Sequence, residues 1–380
     1  MEEKTIKIVQ INSVLLNGDA ISNIMRAVHS IKDSKIESFM ALELFADNAT
    51  SQILQMAISD YMPLDIPYTI KRYMHIENKF LYLKKYLAAR KAYKSQQAKH
   101  IIDNADIRIW HFGIYYPLMM FLHAHDIIYF HNITYPYLAN SESAAANISS
   151  RLSLQALKDL DPYFIADSQF DKKTLLLMGF PEKSIKVLPP PLNATASNLP
   201  YIPRHPAMSK PIAWGRYAIN KGIPELVQLC NNARYRLRVF GDNDQLKEFK
   251  DEFKKATASN TNEYATLSGK VDNFEKELSE ANIYICNSYH EGFNMPLIEA
   301  EAHSLPVLAR RGTAMDELVK DGYNGFLFSD INEVPDLIGK IMKDYESFSR
   351  NAWQHSQNFT YEKFKQNYLR ILSEYAKVRK

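Results

Sequence analysis

The chain has 380 residues, enough for two domains, and Lys plus Arg 46 against Asp plus Glu 43 leaves a formal net charge of +3. With 46% apolar, 23% charged and 12% aromatic residues, it has the composition of a folded globular protein and excludes disordered or collagen-like chains. The balanced charge also argues against a nucleic-acid protein held on phosphates by a general excess of lysine.

The amino terminus, MEEKTIKIVQINSV, opens with acids and lacks the basic start, apolar stretch and cleavage site of a secretory signal. Its apolar residues predict a first strand over Ile6 to Ile11. Further strands are predicted at Glu37 to Ala41, Ile107 to His111, Ile127 to Phe130, Tyr163 to Ala166 and Ile185 to Leu188, with helical patterns between them. After Pro211 a second series begins: Pro211 to Trp214, Arg236 to Phe240, Ala265 to Leu267, Ile283 to Cys286, Pro306 to Ala309 and Gly325 to Phe328. Strand and helix alternating in two series imply an α/β fold of two doubly wound, Rossmann-like domains. Between the series, Pro189 to Pro211 holds seven of the 17 prolines, and proline fixes φ while removing a donor, so this stretch is a connector. The expected division is residues 1–193, residues 194–358, and a tail helix over 359–380 whose stripe of Phe364, Tyr368, Ile371, Leu372 and Tyr375 must dock on a neighbour.

Lys71 to Lys99 differs in composition, with nine basic residues against the one acid Glu77 and with Tyr73, Phe80, Tyr82, Tyr86 and Tyr93 threaded through it. Such a segment suits an anionic membrane surface, and a solvated helix face is the plainer alternative. No apolar run approaches the roughly 18 residues a membrane span needs. The two cysteines, Cys230 and Cys286, both sit in apolar runs, too few for a disulfide framework or a cysteine metal site. A cytoplasmic protein, peripheral at most to the inner face of a membrane, is the expectation.

The richest chemistry lies between Ala281 and Phe328. A buried strand ends at Cys286, Asn294 is placed to cap a helix, and Pro296 occupies the first turn, where a missing N–H is harmless. A strand, a loop and a helix N-terminus make a ready phosphate site at the carboxyl end of an α/β sheet. Glu291 falls on the loop and Glu299 one turn inside the helix, so one carboxylate can meet sugar hydroxyls and the other a vicinal diol. In PIAWGRYAINKGIPELVQL, Gly215 and Arg216 end a strand while Lys221 and Gly222 precede a helix. A guanidinium and an ammonium so placed could hold a diphosphate. GDND places Asp242 and Asp244 two apart after a strand, a pair of the kind that takes Mg²⁺ elsewhere; with Arg216 and Lys221 supplying positive charge, no metal or other cofactor is expected.

Taken together, EGFNMPLIEAEA, LPVLAR, DGYNGFLF, WGR, NKG and LSGKVD resemble the retaining glycosyltransferases of family 4, the group 1 glycosyl transferases of GT-B architecture. NGDAISN, WHFGIYYP, YFHNIT and IADSQFDKKTLLLMGFP carry a looser match in the first half. The resemblance implies two domains around a cleft and a nucleotide diphosphate sugar as donor. Arg216 and Lys221 would stabilise the diphosphate as it leaves. Glu299 would hold the ribose, the backbone near Lys270 and Val271 the base, and Glu291 with Gly215, Gly292, Phe293, Asn294, Met295, Pro296 and Leu297 would line the rest of the donor site. His131 would face the donor sugar, with Gly18, Asp19 and Asn132 on the acceptor side. A further acidic position of the family falls near Glu317. Asn294 and Ser304 stand where the family commonly has glycine, and Asp316 where it has proline; the Asn294 side chain is expected to enter the sugar pocket. The implied reaction moves a hexose such as mannose, with retention and without metal, onto a glycan or lipid-linked acceptor in surface polysaccharide synthesis. A catalytically silent scaffold of the same fold and a nucleotide-sugar epimerase are the alternatives.

Overall fold

Strands of the first series end in one parallel sheet and those of the second in another. The computed structural model describes residues 6–12, 20–31, 36–43, 61–64, 100, 102–111, 122–131, 155, 157–215, 217, 221–241, 264–269, 271 and 274–378. Seven strands, β1 (Ile6–Asn12), β2 (Ile36–Glu43), β3 (Tyr61–Leu64), β4 (Ile107–His111), β5 (Ile127–Phe130), β6 (Tyr163–Ala166) and β7 (Ile185–Val187), form the first sheet in the order β3-β2-β1-β4-β5-β6-β7. Each described pairing is parallel. The second sheet, of β8 (Pro211–Trp214), β9 (Leu237–Phe240), β10 (Ala265–Gly269), β11 (Ile283–Cys286), β12 (Val307–Arg310) and β13 (Gly325–Phe328), runs β10-β9-β8-β11-β12-β13.

Both orders reverse direction once, between β1 and β4 in one sheet and between β8 and β11 in the other. At such a point the loops leaving adjacent strands turn to opposite faces, and a crevice opens at the carboxyl edge. Central strands read as unbroken apolar runs because both faces are covered: β4, β5 and β11 are buried at every position. The predicted strands fall on these elements, shifted by a residue or two at their ends. The unpredicted one is β3, a four-residue edge strand containing Pro63, a residue that an edge tolerates and that masks the pattern.

The described helices are α1 (Ala20–His29), α2 (Gln169–Leu177), α3 (Ile223–Ala233), α4 (Phe274–Glu280), α5 (Met295–Ala302), α6 (Met315–Leu318), α7 (Val334–Lys343), α8 (Tyr345–Ser356) and α9 (Tyr361–Val378). In the second sheet's core, Val227 and Leu226 of α3 and Ile338 and Ile341 of α7 pack with Ile283, Ile285, Val239 and Phe328. Each such side chain contributes roughly 1.5–3 kcal/mol on burial. Gly325 must be glycine, since a Cβ there would lie 1.8 Å from the Val307 carbonyl oxygen.

The chain divides into two compact units, residues 1–189 with 365–380, and residues 190–364. The last turns of α9 therefore complete the first unit: Tyr368, Ile371, Leu372 and Tyr375 are buried, Glu374 pairs with Lys186 at 2.7 Å, and the Tyr375 hydroxyl donates to the His125 carbonyl. In the second unit the Trp353 indole N–H donates to the Leu199 carbonyl at 2.8 Å, holding α8 against the proline-rich connector.

Ser304 follows the end of α5 with φ +64, the left-handed position that favours glycine and costs an L residue about 1–2 kcal/mol. The hydroxyl of Ser349 donates to its carbonyl at 2.8 Å, which holds the turn in that geometry. Ser304→Gly is expected to raise the unfolding free energy by about 1 kcal/mol in urea titration.

Candidate functional site

At the carboxyl edge of the second sheet the chain brings together the ends of β8 and β11, on the two sides of the reversal. Lys221 precedes α3, and Glu291 lies on the loop from β11 to α5. Lys221 Nζ stands 2.5 Å from Glu291 Oε1, with only 20% and 10% of the two side chains exposed. Gly222 makes the approach of Lys221 possible. Its φ is +60, and a Cβ on it would lie 2.3 Å from both Nδ2 and the carbonyl oxygen of Asn287. Asn287 instead donates to the Gly222 carbonyl at 2.7 Å and to Glu225 Oε2 at 3.0 Å, and it accepts from Arg310 Nε at 2.8 Å. Arg310 lies 4.5 Å over the Tyr289 ring, and the Tyr289 hydroxyl donates to Glu225. Glu225 in the first turn of α3 also suits the helix dipole. The β11 and β12 ends are thus laced to the start of α3.

Asn294 caps α5 as the sequence predicts, and its side chain is turned inward and 4% exposed. Its Oδ1 accepts from the Leu297 N–H at 2.8 Å, capping α5, and its Nδ2 donates to Glu291 Oε1 at 3.2 Å and lies 3.1 Å from Cys286 Sγ. A buried amide must satisfy its polar atoms, and the end of β11, the loop after it and the first turn of α5 supply the three partners. Glu291 is held a third time through its backbone, whose carbonyl accepts from the Ala314 N–H at 3.2 Å. Burial pushes the Cys286 thiol up to about 11, keeping it neutral beside the pair.

Glu299 sits in α5, one turn after its start at Met295 and Pro296. Burial, and secondarily the charge of Glu275, push its carboxyl up to about 7. Near neutral pH it therefore samples the protonated and ionised forms and can both donate and accept toward a diol. The edge formed by β8, β9 and β10 is closed by backbone: Gly215 N–H donates to Phe240 O at 3.1 Å, and Gly241 N–H to Gly269 O at 3.0 Å. The Tyr217 hydroxyl accepts from Gly269 N–H at 2.8 Å and donates to Val239 O at 2.9 Å. Val271 follows that edge, while Gly292 and Phe293 complete the loop before Asn294, the Phe293 ring meeting Phe359 edge-on at 5.6 Å.

In the first unit His131 follows β5 at the carboxyl edge and is 8% exposed. Its Nδ1 lies 2.8 Å from Asp167 Oδ2, and burial raises the Asp167 carboxyl while His131 opposes that shift. Arg216, Lys270, Gly18, Asp19, Asn132, the Asp242 and Asp244 pair and the Lys71 to Lys99 segment lie outside the described residues. Glu317 belongs to α6. Sequence reading missed Asn287, Glu225, Arg310 and Asp167. Asn287 and Asp167 each stand immediately after a buried strand, and a polar residue at that spot is the signal that would have found them.

Folding leaves Glu299 holding a proton between the ordinary carboxyl value of 4.5 and about 7, so the native state loses stability as pH rises across that interval. The melting temperature of the wild type is expected to fall relative to that of Glu299→Gln between pH 4.5 and 7, and to run parallel to it above pH 8. Asn294→Ala removes the cap and should cost about 1 kcal/mol in the same denaturation assay.

Residues 211–344 match the family described as Glycosyl transferases group 1. An uncharacterized glycosyltransferase of Methanocaldococcus jannaschii is 25% identical over 156 residues, covering 39% of this chain and 43% of that protein. The chain spans less than half the length of the curated relatives it matches first. A solved glycosyltransferase from Rickettsia africae aligns over 98% of this chain and 99% of its own, with a TM-score of 0.69 and 16% identity. Anabaena HepE, crystallised with UDP, aligns over 97% of this chain and 100% of its own, with a TM-score of 0.69 and 16% identity, and was also crystallised with UDP-glucose. The chain thus has the two-domain Rossmann-like fold of GT-B glycosyltransferases, and its second unit carries a glycosyl transferases group 1 segment.

Proposed function

We propose that the protein is a retaining glycosyltransferase that moves a hexose from a nucleoside diphosphate sugar onto a glycan or lipid-linked acceptor. The observation that carries this reading is the Lys221–Glu291 pair at the reversal of the second sheet, inside the segment matched to the glycosyl transferases. An ammonium there meets the diphosphate, and the neighbouring carboxylate meets sugar hydroxyls. In the ligand-free chain the two neutralise each other; the donor inserts its own anion and hydroxyls and takes over both partners. Glu299, half ionised near pH 7, suits the ribose diol. UDP is the base-bearing half that the Anabaena neighbour supports, and glucose the sugar.

In this reading Lys221, with Arg216, stabilises negative charge as the bond from the anomeric carbon to the phosphate oxygen breaks. The acceptor oxygen attacks from the face the diphosphate leaves, and the departing phosphate takes the acceptor proton. No metal is required, since the two cations supply the charge. Retaining hydrolases instead use two carboxylates as acid and nucleophile; here Glu291 is tied to Lys221 and Asn294 and serves in binding. The described helices include none long and apolar enough to cross a membrane, so a lipid-linked acceptor would be met at the bilayer surface, through Lys71 to Lys99 in this proposal.

UDP and UDP-glucose are expected to raise the melting temperature of the wild type by mass action, and GDP and ADP to raise it less. Lys221→Ala and Glu291→Ala should keep a cooperative unfolding transition and lose donor turnover by at least a hundredfold. Full turnover in either variant would overturn the role given to the pair, and a shift with GDP alone would overturn the choice of UDP.

A further inference from the structure

Across the reversal of the first sheet, four adjacent strands each present one buried polar side chain at or near the carboxyl edge: Gln10 of β1, His111 of β4, His131 after β5 and Asp167 after β6. Gln10 and His111 are 0% exposed, His131 8% and Asp167 6%. They form one continuous chain of hydrogen bonds. Gln10 Nε2 donates to the Met25 carbonyl at 3.2 Å, Gln10 Oε1 lies 2.9 Å from His111 Nε2, His111 Nδ1 lies 3.2 Å from His131 Nε2, and His131 Nδ1 lies 2.8 Å from Asp167 Oδ2.

The direction of every bond follows from the first. A carbonyl only accepts, so the Gln10 amide turns its NH₂ to Met25 and its oxygen to His111. His111 must then carry its proton on Nε2. Burial, and then the charge of His131, hold the His111 imidazole well below its usual range, so it is neutral and its Nδ1 is a bare acceptor. His131 must therefore donate from Nε2. Its other nitrogen lies 2.8 Å from Asp167 Oδ2, where two lone pairs cannot face each other, so one proton lies between Nδ1 and Oδ2. Among the described residues the Tyr129 ring also lies against the two histidines, 4.5 Å from His131 and 5.2 Å from His111, its hydroxyl donating to Leu188 O at 2.9 Å and kept neutral by burial.

We infer that Gln10, His111 and Asp167 are positioning residues for His131, and that the chain anchored at the Met25 carbonyl fixes a proton on His131 Nε2 and leaves that ring no lone pair with which to act as a base. Both His131 nitrogens are thereby occupied, by His111 and by Asp167, so the ring contributes at the carboxyl edge as a fixed dipole, and the proton of an incoming hydroxyl has to go elsewhere. Only the incoming hydroxyl rests on the glycosyltransferase reading; the proton placement stands apart from it.

The test uses the ligand-free full chain labelled with ¹⁵N-histidine, its ring signals assigned with His111→Gln and His131→Gln, and two-bond ¹H–¹⁵N spectra at pH 7.5. Expected are a His111 ring with a protonated Nε2 and a bare Nδ1, and a His131 ring with a protonated Nε2. A bare Nε2 on His131, or a protonated Nδ1 on His111, would overturn the proposal in the wild type alone, whatever the turnover of UDP-glucose. Gln10→Leu removes the anchor, and Asp167→Asn leaves a neutral His131 facing a bare His111 nitrogen. Each is expected to replace the single pattern by exchanging tautomers, and unchanged spectra in both folded variants would count against the chain as the cause.

Discussion

Lys221 and Glu291 come from opposite sides of the point where the second sheet reverses, and their 2.5 Å contact is the constraint the surrounding architecture serves. Two charges mostly withdrawn from water hold together only when their geometry is good and their remaining hydrogen-bonding capacity is met. Asn294 meets it at Glu291, while Gly222, Asn287 and Arg310 fix the turn that delivers Lys221. The helix that Asn294 caps, α5, closes on Ser304 in a left-handed conformation. Further back in the same helix Glu301, wholly buried, pairs with His355 at 2.6 Å and accepts from Asn324, tying α5 to α8 and to the turn before β13.

The two units solve a similar problem with different chemistry. In the second, opposite charges meet at the reversal and an incoming anion can compete for the cation. In the first, a neutral amide and an imidazole meet there, and their polarity is set by a backbone carbonyl. One edge is held by an ion pair; the other is an array whose hydrogen bonds can all be satisfied in only one direction.

Much of this was legible in the sequence because parallel sheets advertise themselves. Runs such as IYIC and IIYF, apolar at every position, have no other economical explanation when helical patterns separate them. Glu291, Lys221 and Glu299 were readable from their places before or within helices that begin with Pro224 and Pro296. What stayed hidden depends on partners distant in the chain. The cap that Asn294 gives to Leu297 is legible but its contact with Cys286 is not, and Gln10 gives no signal, since its role exists only through a histidine 101 positions away. β3 escaped because Pro63 breaks the pattern that would reveal it.

The last helix begins in one unit and ends in the other, the division falling between Phe364 and Lys365. The first unit is therefore not a contiguous stretch of polypeptide: Tyr368, Ile371 and Tyr375 of its core follow the whole of the second unit in the sequence. During synthesis, which proceeds from the amino end, the second unit has its whole sequence available before the first does. Of the two units, the one that begins to emerge first is completed second, and its apolar face stays open until residues 365–378 arrive to cover it.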